Sequence, residues 1–118
     1  MKTKFYYYQD PGHGWAAVPV SLLEQLNIVG KISAFSYFRG RTAYLEEDCD
    51  LALFFEAYRA EFGVDPVLIS KHTDKRSPIR SYARFTYSPA VRRQKILEAA
   101  VEAGYIQFLT IGLEKDAA

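Results

Sequence analysis

The sequence predicts an α+β fold in which an antiparallel sheet of about seven strands is covered by helices mainly on one face. Three observations favour this fold. Hairpin signals follow one another along the chain, three stretches carry apolar residues at helical spacing, and no Pro/Gly/Ser-rich linker divides the 118 residues. The elements are arranged as three ββα units followed by a C-terminal strand. We therefore expect one domain over residues 1–118.

The first unit covers residues 4–28. KFYYYQ (4–9) is rich in aromatic residues and predicts a strand, DPGHG predicts a turn, and WAAVPV predicts a second strand. Because proline cannot donate to the ladder, we expect either that this second strand lies at an edge of the sheet or that Pro19 lies at the end of the strand. Ser21 followed by Glu24 predicts a capping box at the start of a short helix, about residues 21–28.

The second unit begins with KISAFSYF (31–38) and TAYLEE (42–47), a hairpin around RGR. Asp48 or Asp50 is expected to cap the helix that follows, and Gly63 is expected to end it. Its apolar residues recur at i, i+3, i+4, i+7 and i+11, which predicts a stripe that faces the core. The members of this stripe are Leu51, Phe54, Phe55, Tyr58 and Phe62.

The third unit pairs PVLISKH (66–72) with IRSYARFTY (79–87) in a predicted hairpin. Ser88, with a proline at the first helical position, then predicts the cap of a third helix that runs to about residue 103. YIQFLTIG (105–112) is apolar on both faces and is therefore expected to be a well-covered strand.

Composition restricts where the protein works and what it needs. Cys49 is the one cysteine, so an intramolecular disulfide is excluded, and the first residues lack the apolar stretch of a secretory signal. No apolar run approaches the length of a membrane span. We expect a soluble, cytoplasmic protein that does not insert into a membrane and that needs no cofactor.

Opposite charges occupy separate parts of the chain, although the net charge is only +1. Residues 44–65 contain seven acids and one arginine, and residues 71–95 contain eight Lys or Arg residues and one aspartate. Blocks of this size are typical of surfaces that face each other or face partners. We expect the basic block to bind the partner, through Arg76, Arg80, Tyr82, Arg84, Arg92 and Arg93.

DPGHGW (10–15) places a histidine between two glycines. A phosphate-binding loop is disfavoured, because such a loop leads into a helix N-terminus, whereas a strand follows here. A hairpin turn in which the glycines supply positive φ is the favoured interpretation. The alternative is a catalytic loop in which His13 is a general base, since imidazole titrates near neutral pH.

YLEEDCD (44–50) concentrates carboxylates at a strand-to-helix junction. Such oxygens suit a hard cation, but acids at a helix start also cap the helix and interact favourably with its dipole, and we favour capping. A zinc site is disfavoured because one cysteine and two distant histidines lack ligand spacing. Flanking acids also disfavour Cys49 as a nucleophile.

KHTDKRSPIRSYARFTYSPAVRRQK (71–95) interleaves bases with aromatic residues, a mixture that binds phosphates and stacks on nucleobases. The alternative interpretation is a solvated hairpin followed by an ordinary basic helix start. The balanced net charge disfavours a dedicated nucleic-acid-binding protein. Direct nucleic-acid binding therefore stays open as an alternative.

YYYQDPGHGWAAVP, taken with KISAFSYFRGRTAYLEEDCD, resembles a group of small proteins encoded on bacterial phages and plasmids. The resemblance covers about residues 5–55 and implies an accessory protein of a mobile element, such as an inhibitor of host defence. It implies no catalytic residue, and it suggests that the GHGW turn contacts the acidic junction, with His13 against Glu47 or Asp48. The residues that match the two motifs are His13, Trp15, Tyr44, Glu46, Glu47, Asp48, Cys49 and Asp50.

The function predicted from these observations is a non-enzymatic binding module that docks on a host protein or ribonucleoprotein. Small size, separate charge blocks and the lack of a complete catalytic set favour it. The alternatives are a small enzyme that uses His13 with Glu46, Glu47 or Asp48, and a protein that binds nucleic acid directly. A pocket in which these groups converge would favour the enzyme, whereas acids occupied as helix caps would oppose it.

Overall fold

The structure is a computed structural model, and it describes residues 2–87, 93, 97, 98 and 100–104. The chain forms two compact units, Met1–Thr86 and Tyr87–Ala118. In the second unit, residues 93, 97, 98 and 100–102 are helical, within the predicted third helix. The predicted cap at residue 88 and the predicted strand over residues 105–112 lie outside the described residues. The single domain over the whole chain stays a prediction.

The first unit confirms the α+β class. Its sheet has six strands: β1 (Lys4–Gln9), β2 (Gly14–Pro19), β3 (Tyr37–Arg39), β4 (Thr42–Glu46), β5 (Val67–His72) and β6 (Ala83–Arg84). The strand order is β5-β1-β2-β4-β3-β6. The hairpins β1–β2 and β3–β4 form as predicted.

The third predicted hairpin does not form. β5 pairs in parallel with β1, from Lys4 opposite Val67 to Gln9 opposite His72, so the sheet is mixed rather than wholly antiparallel. β6 lies at the other edge and pairs with β3. The three predicted ββα units are therefore not repeated in the structure. The chain leaves β5 and crosses to the far edge because residues 77–80 are held against the β1–β2 turn, as described below.

Two α-helices lie between the strands, α1 (Val20–Gln25) and α2 (Leu51–Phe62), with short 3-10 turns at Val29–Lys31 and Pro78–Ser81. The capping box at Ser21 is wrong, because Pro19 at the end of β2 is already the N-cap residue and no side chain caps α1. α2 begins and ends where predicted. Gly63 ends it at φ 77°, a left-handed conformation that glycine adopts without steric cost.

α2 covers one face of the sheet through aromatic rings. Phe5 of β1 makes edge-to-face contacts with Phe54 at 5.3 Å and with Tyr58 at 6.0 Å between ring centroids. The predicted stripe is therefore core at its centre, where Phe54 and Tyr58 are fully buried, and half-buried at its other positions. Because side chains alternate along a strand, Tyr6 and Tyr8 point to the opposite face.

Within the part of the chain that the structure describes, no helix is both long and apolar enough to cross a membrane.

Candidate functional site

The DPGHGW segment is the turn that joins β1 to β2, as predicted. The backbone N–H of Asp10 donates to the carbonyl of His13 at 3.0 Å. The glycines are required for a reason other than the positive φ that we expected, since neither has one. A Cβ at Gly12 would lie 2.7 Å from Nη2 of Arg80, and one at Gly14 would overlap the phenol of Tyr7.

The Asp10 carboxylate joins this turn to the distant 3-10 turn at residues 78–81. It accepts two bonds from the Arg80 guanidinium, Nε to Oδ2 at 2.7 Å and Nη2 to Oδ1 at 2.9 Å. The backbone N–H groups of Gly12, His13 and Ser77 donate to it as well. Hydrogen bonding to Arg80 is the main cause that holds the pKa of Asp10 well below its usual range. Asp10 therefore stays ionised although its side chain is buried.

A first pocket, the histidine pocket, has a volume of about 410 Å³ and lies where this turn meets the acidic junction. The imidazole Nδ1 of His13 lies 3.4 Å from Oε2 of Glu46. The GHGW turn therefore contacts the acidic junction as predicted, but the ion pair of His13 is with Glu46 rather than with Glu47 or Asp48. The residues that line this pocket include His13, Trp15, Phe35, Glu46, Asp48, Cys49 and Arg84.

Trp15 forms the buried wall of the histidine pocket. It pairs with Glu46 across the β2–β4 ladder, and the Arg80 guanidinium lies 5.3 Å from its ring centroid. Its indole N–H is buried without a hydrogen-bond partner among the described residues. The ring is thus held between a strand and a cation, a favourable position for an aromatic face.

The acidic residues do not cap α2, so that interpretation of the junction is wrong. Asp50 occupies the N-cap position, but its carboxylate accepts hydrogen bonds from Ser33 and Ser36, and no side chain caps the helix. These bonds hold the loop before β3, and they explain why the strand predicted over residues 31–38 is reduced to residues 37–39.

The remaining acids converge on His13. Ligand atoms of His13, Glu46, Glu47 and Asp48 lie within 4.8 Å of one another, a set that is close enough to share one cation. Within the set, Oε1 of Glu46 accepts from the backbone N–H of Asp48 at 2.9 Å. The carboxylates of Glu46, Glu47 and Asp48 therefore lie beside His13 and do not cap α2.

Two protonated groups border these carboxylates. The hydroxyl of Tyr7 donates to Oε2 of Glu47 at 2.6 Å, and burial followed by this bond raises the pKa of the phenol. Cys49 is exposed, yet partial desolvation and then the Glu46 carboxylate raise the pKa of its thiol. A thiol kept protonated is a poor nucleophile at neutral pH.

The sheet face opposite α2 also carries a row of four tyrosine rings, which we call the tyrosine row. Centroids lie 6.0 Å apart from Tyr6 to Tyr8, 6.3 Å from Tyr8 to Tyr44, and 5.1 Å from Tyr44 to Tyr82. A cation lies over each end: Nζ of Lys71 is 4.9 Å from the Tyr6 centroid, and the Arg39 guanidinium is 5.3 Å from that of Tyr82. The row therefore crosses the sheet with positive charge at both ends.

A pocket of about 290 Å³, the tyrosine pocket, opens between the rings of Tyr8, Tyr44 and Tyr82. The exposed side chains of Lys71 and His72 form its rim. The buried side chain of Ile79, in the 3-10 turn, lines it as well. None of the described side chains that line it is a carboxylate. Burial is the main cause that raises the pKa of Tyr44, so its phenol is protonated at neutral pH.

The predicted basic residues occupy different positions. Arg80 is the buried partner of Asp10, and Arg84 lies over the Tyr37 ring at 4.9 Å and donates to the carbonyl of residue 34. Arg76 is exposed and donates to the Ser81 hydroxyl, while Arg93 is exposed on its helix. Arg92 lies outside the described residues.

Sequence reasoning did not identify Tyr6, Tyr8, Arg39 and Lys71 as members of a surface. Alternation in KFYYYQ was the available signal, because it places residues 6 and 8 on the face opposite the core ring of Phe5. No comparable signal existed for the Asp10–Arg80 pair, whose partners are far apart in the chain.

Comparison with known proteins found no match to this chain among protein-family models, curated proteins or solved structures.

Proposed function

We propose that the protein is a non-enzymatic binding module that docks on a host protein or ribonucleoprotein through the tyrosine row. The observation that carries this proposal is the continuous series of ring contacts from Tyr6 to Tyr82 with Lys71 and Arg39 at its ends. Tyrosine and arginine are enriched where binding energy is concentrated in interfaces. Tyr6 keeps 46% of its surface exposed, so part of the row is accessible to a partner.

The resemblance of the first half of the chain to phage- and plasmid-encoded proteins supports a more specific role. In this role the protein is a mobile-element accessory that acts in the cytoplasm of a bacterial host and modulates a host component, such as a defence system. The tyrosine row supplies the contact surface, and the cations at its two ends, Lys71 and Arg39, supply its positive charge.

Affinity capture from a bacterial lysate, with and without nuclease treatment, tests this proposal. We expect wild-type protein to capture a defined partner, and Tyr6→Ala and Arg39→Gln to reduce its capture. Phe35→Ala is the matched control, because Phe35 is 63% exposed but belongs to the histidine pocket. Equal capture by wild type and by both tyrosine-row variants would contradict the proposal.

A second candidate function is a small enzyme that uses His13, and one observation favours it. The imidazole of His13 and the carboxylate of Glu46 converge at 3.4 Å in a pocket of about 410 Å³ that also contains Arg84. Contact at Nδ1 orients the ring and leaves Nε2 as a candidate general base. Hydrolysis of 4-nitrophenyl esters or bis(4-nitrophenyl) phosphate that is lost in His13→Gln would support this function; equal rates for the two proteins would oppose it.

A further inference from the structure

The tyrosine pocket has the size and the walls of a site for one planar ring. Its volume of about 290 Å³ lies at the lower end of small-ligand pockets, which span roughly 300 to 1,000 Å³. Tyr8, Tyr44 and Tyr82 surround it with rings that are only half-buried. Aromatic faces of this kind stack on nucleobases regardless of their sequence.

The charges around this pocket select an anionic ligand. Lys71 lies on the rim, and Arg39 lies over the outer ring of the row. His72 is paired with Asp74 at 3.1 Å, so Lys71 is the cation that the rim presents. The histidine pocket differs, because it is lined by the carboxylates of Glu46 and Asp48 as well as by Arg80 and Arg84, so its charge is mixed.

A single-stranded nucleic acid has the two features that this surface complements, flat rings and a regular series of negative charges. Rings spaced 5.1 to 6.3 Å apart across the sheet can contact more than one base, and the terminal cations can contact the backbone. A duplex does not offer its base faces, because they are stacked inside it.

We infer that the tyrosine row binds single-stranded nucleic acid, an inference that rests on the proposed function. One unpaired base lies in the tyrosine pocket against Tyr8, Tyr44 and Tyr82. The protonated hydroxyl of Tyr44 can donate to the edge of that base. Lys71 contacts a phosphate of the same strand. Recognition of this kind is tolerant of sequence and weakens as salt concentration rises.

Fluorescence anisotropy with labelled 12-nucleotide U-only RNA, T-only DNA and a matched duplex tests the inference. We expect binding to at least one single strand, with the duplex at least about ten-fold weaker. Tyr82→Ala should weaken binding by about ten-fold, within the range for loss of one stacked base, whereas Tyr82→Phe should retain it because the ring remains. Lys71→Gln should reduce the dependence on salt.

If Tyr82→Ala does not fold, Tyr6→Ala replaces it, because the Tyr6 side chain is exposed. Phe35→Ala is the control, because Phe35 is exposed and lies outside the row. A preference for RNA over DNA would indicate contact with the 2′-hydroxyl, and equal binding would indicate stacking and phosphate contact alone; both support the inference. No binding to either strand, or equal losses in Phe35→Ala and the tyrosine variants, would overturn it.

The lysate experiment separates this inference from the proposed function. If neither oligonucleotide binds, yet a nuclease-resistant partner is captured in a manner that depends on Tyr6, the row binds protein. The proposed function then stands and the nucleic-acid inference falls. If capture is unaffected by substitutions in the row, the proposed function falls as well.

Discussion

Replacement of Asp10 by asparagine tests whether one carboxylate holds the first unit together. The carboxylate accepts from three backbone N–H groups and twice from Arg80. An amide keeps one oxygen and turns an N–H₂ group toward donors, while Arg80 loses its counter-charge. Breaking a buried pair from one side costs about 3 to 5 kcal/mol. Because the Arg80 side chain keeps 26% exposure, we expect about 3 kcal/mol, the lower end.

Urea unfolding followed by the fluorescence of Trp15 measures this loss, since it is the one tryptophan and it is buried. At an m-value of about 2 kcal/mol/M, the midpoint should fall by about 1.5 M. Asp65→Asn is the matched control, because Asp65 accepts from Arg59 at 2.7 Å but both side chains are more than half exposed. That variant should lose less than about 1 kcal/mol. Equal, small losses in the two variants would refute the structural role of Asp10.

The same pair predicts how stability depends on pH. The pKa of Asp10 is lower in the folded protein than in the unfolded chain, so the unfolded chain takes up the proton first as pH falls. The contribution of the pair is therefore complete above about pH 5 and decreases progressively below about pH 4. The difference in unfolding free energy between wild type and Asp10→Asn should narrow over that range, and a constant difference would contradict it.

Two further predictions concern the core and the acidic junction. Phe54→Ala should lower the free energy of unfolding by about 3 to 5 kcal/mol, because that ring is fully buried. Phe55→Ala should lower it clearly less, because its ring is half-buried. Equal urea midpoints for the two variants would contradict this. Iodoacetamide should alkylate Cys49 slowly at pH 7.5, because desolvation and then the Glu46 carboxylate raise the pKa of the thiol. Glu46→Gln removes that carboxylate and should increase the rate severalfold. An unchanged rate in a folded variant would show that Glu46 does not control the pKa of the thiol.

The sequence predicted the elements that depend on local patterns. The end of α2 at Gly63 and its start after Asp48 or Asp50 could be predicted, because the apolar stripe and both ends lie within one continuous segment. The β1–β2 turn was predicted because DPGHG separates two short strands, and its contact with the acidic junction was inferred from two motifs. The histidine pocket could therefore be anticipated in part, although the partner of His13 is Glu46 rather than Glu47 or Asp48.

Pairing between distant segments could not be predicted. Adjacent strand signals favour a hairpin, yet β5 pairs with β1, and the residues that follow β5 bind the distant Asp10. The tyrosine row was missed for the same reason, since Tyr6, Tyr44 and Tyr82 come from three distant parts of the chain. Local charge counting also treated Arg80 as available to a partner, although a buried carboxylate already binds it.

The parallel pairing of β1 with β5 has a consequence for synthesis of the chain on the ribosome. β1 emerges first, but the strand that covers its outer edge begins at Val67, beyond α2. At about 5 to 20 residues per second, that edge waits roughly 3 to 12 s for its partner. During this interval its backbone N–H and C=O groups are open to pairing with a neighbouring nascent chain. We therefore expect incorrect pairing between nascent chains to increase when ribosomes follow one another closely on the messenger RNA.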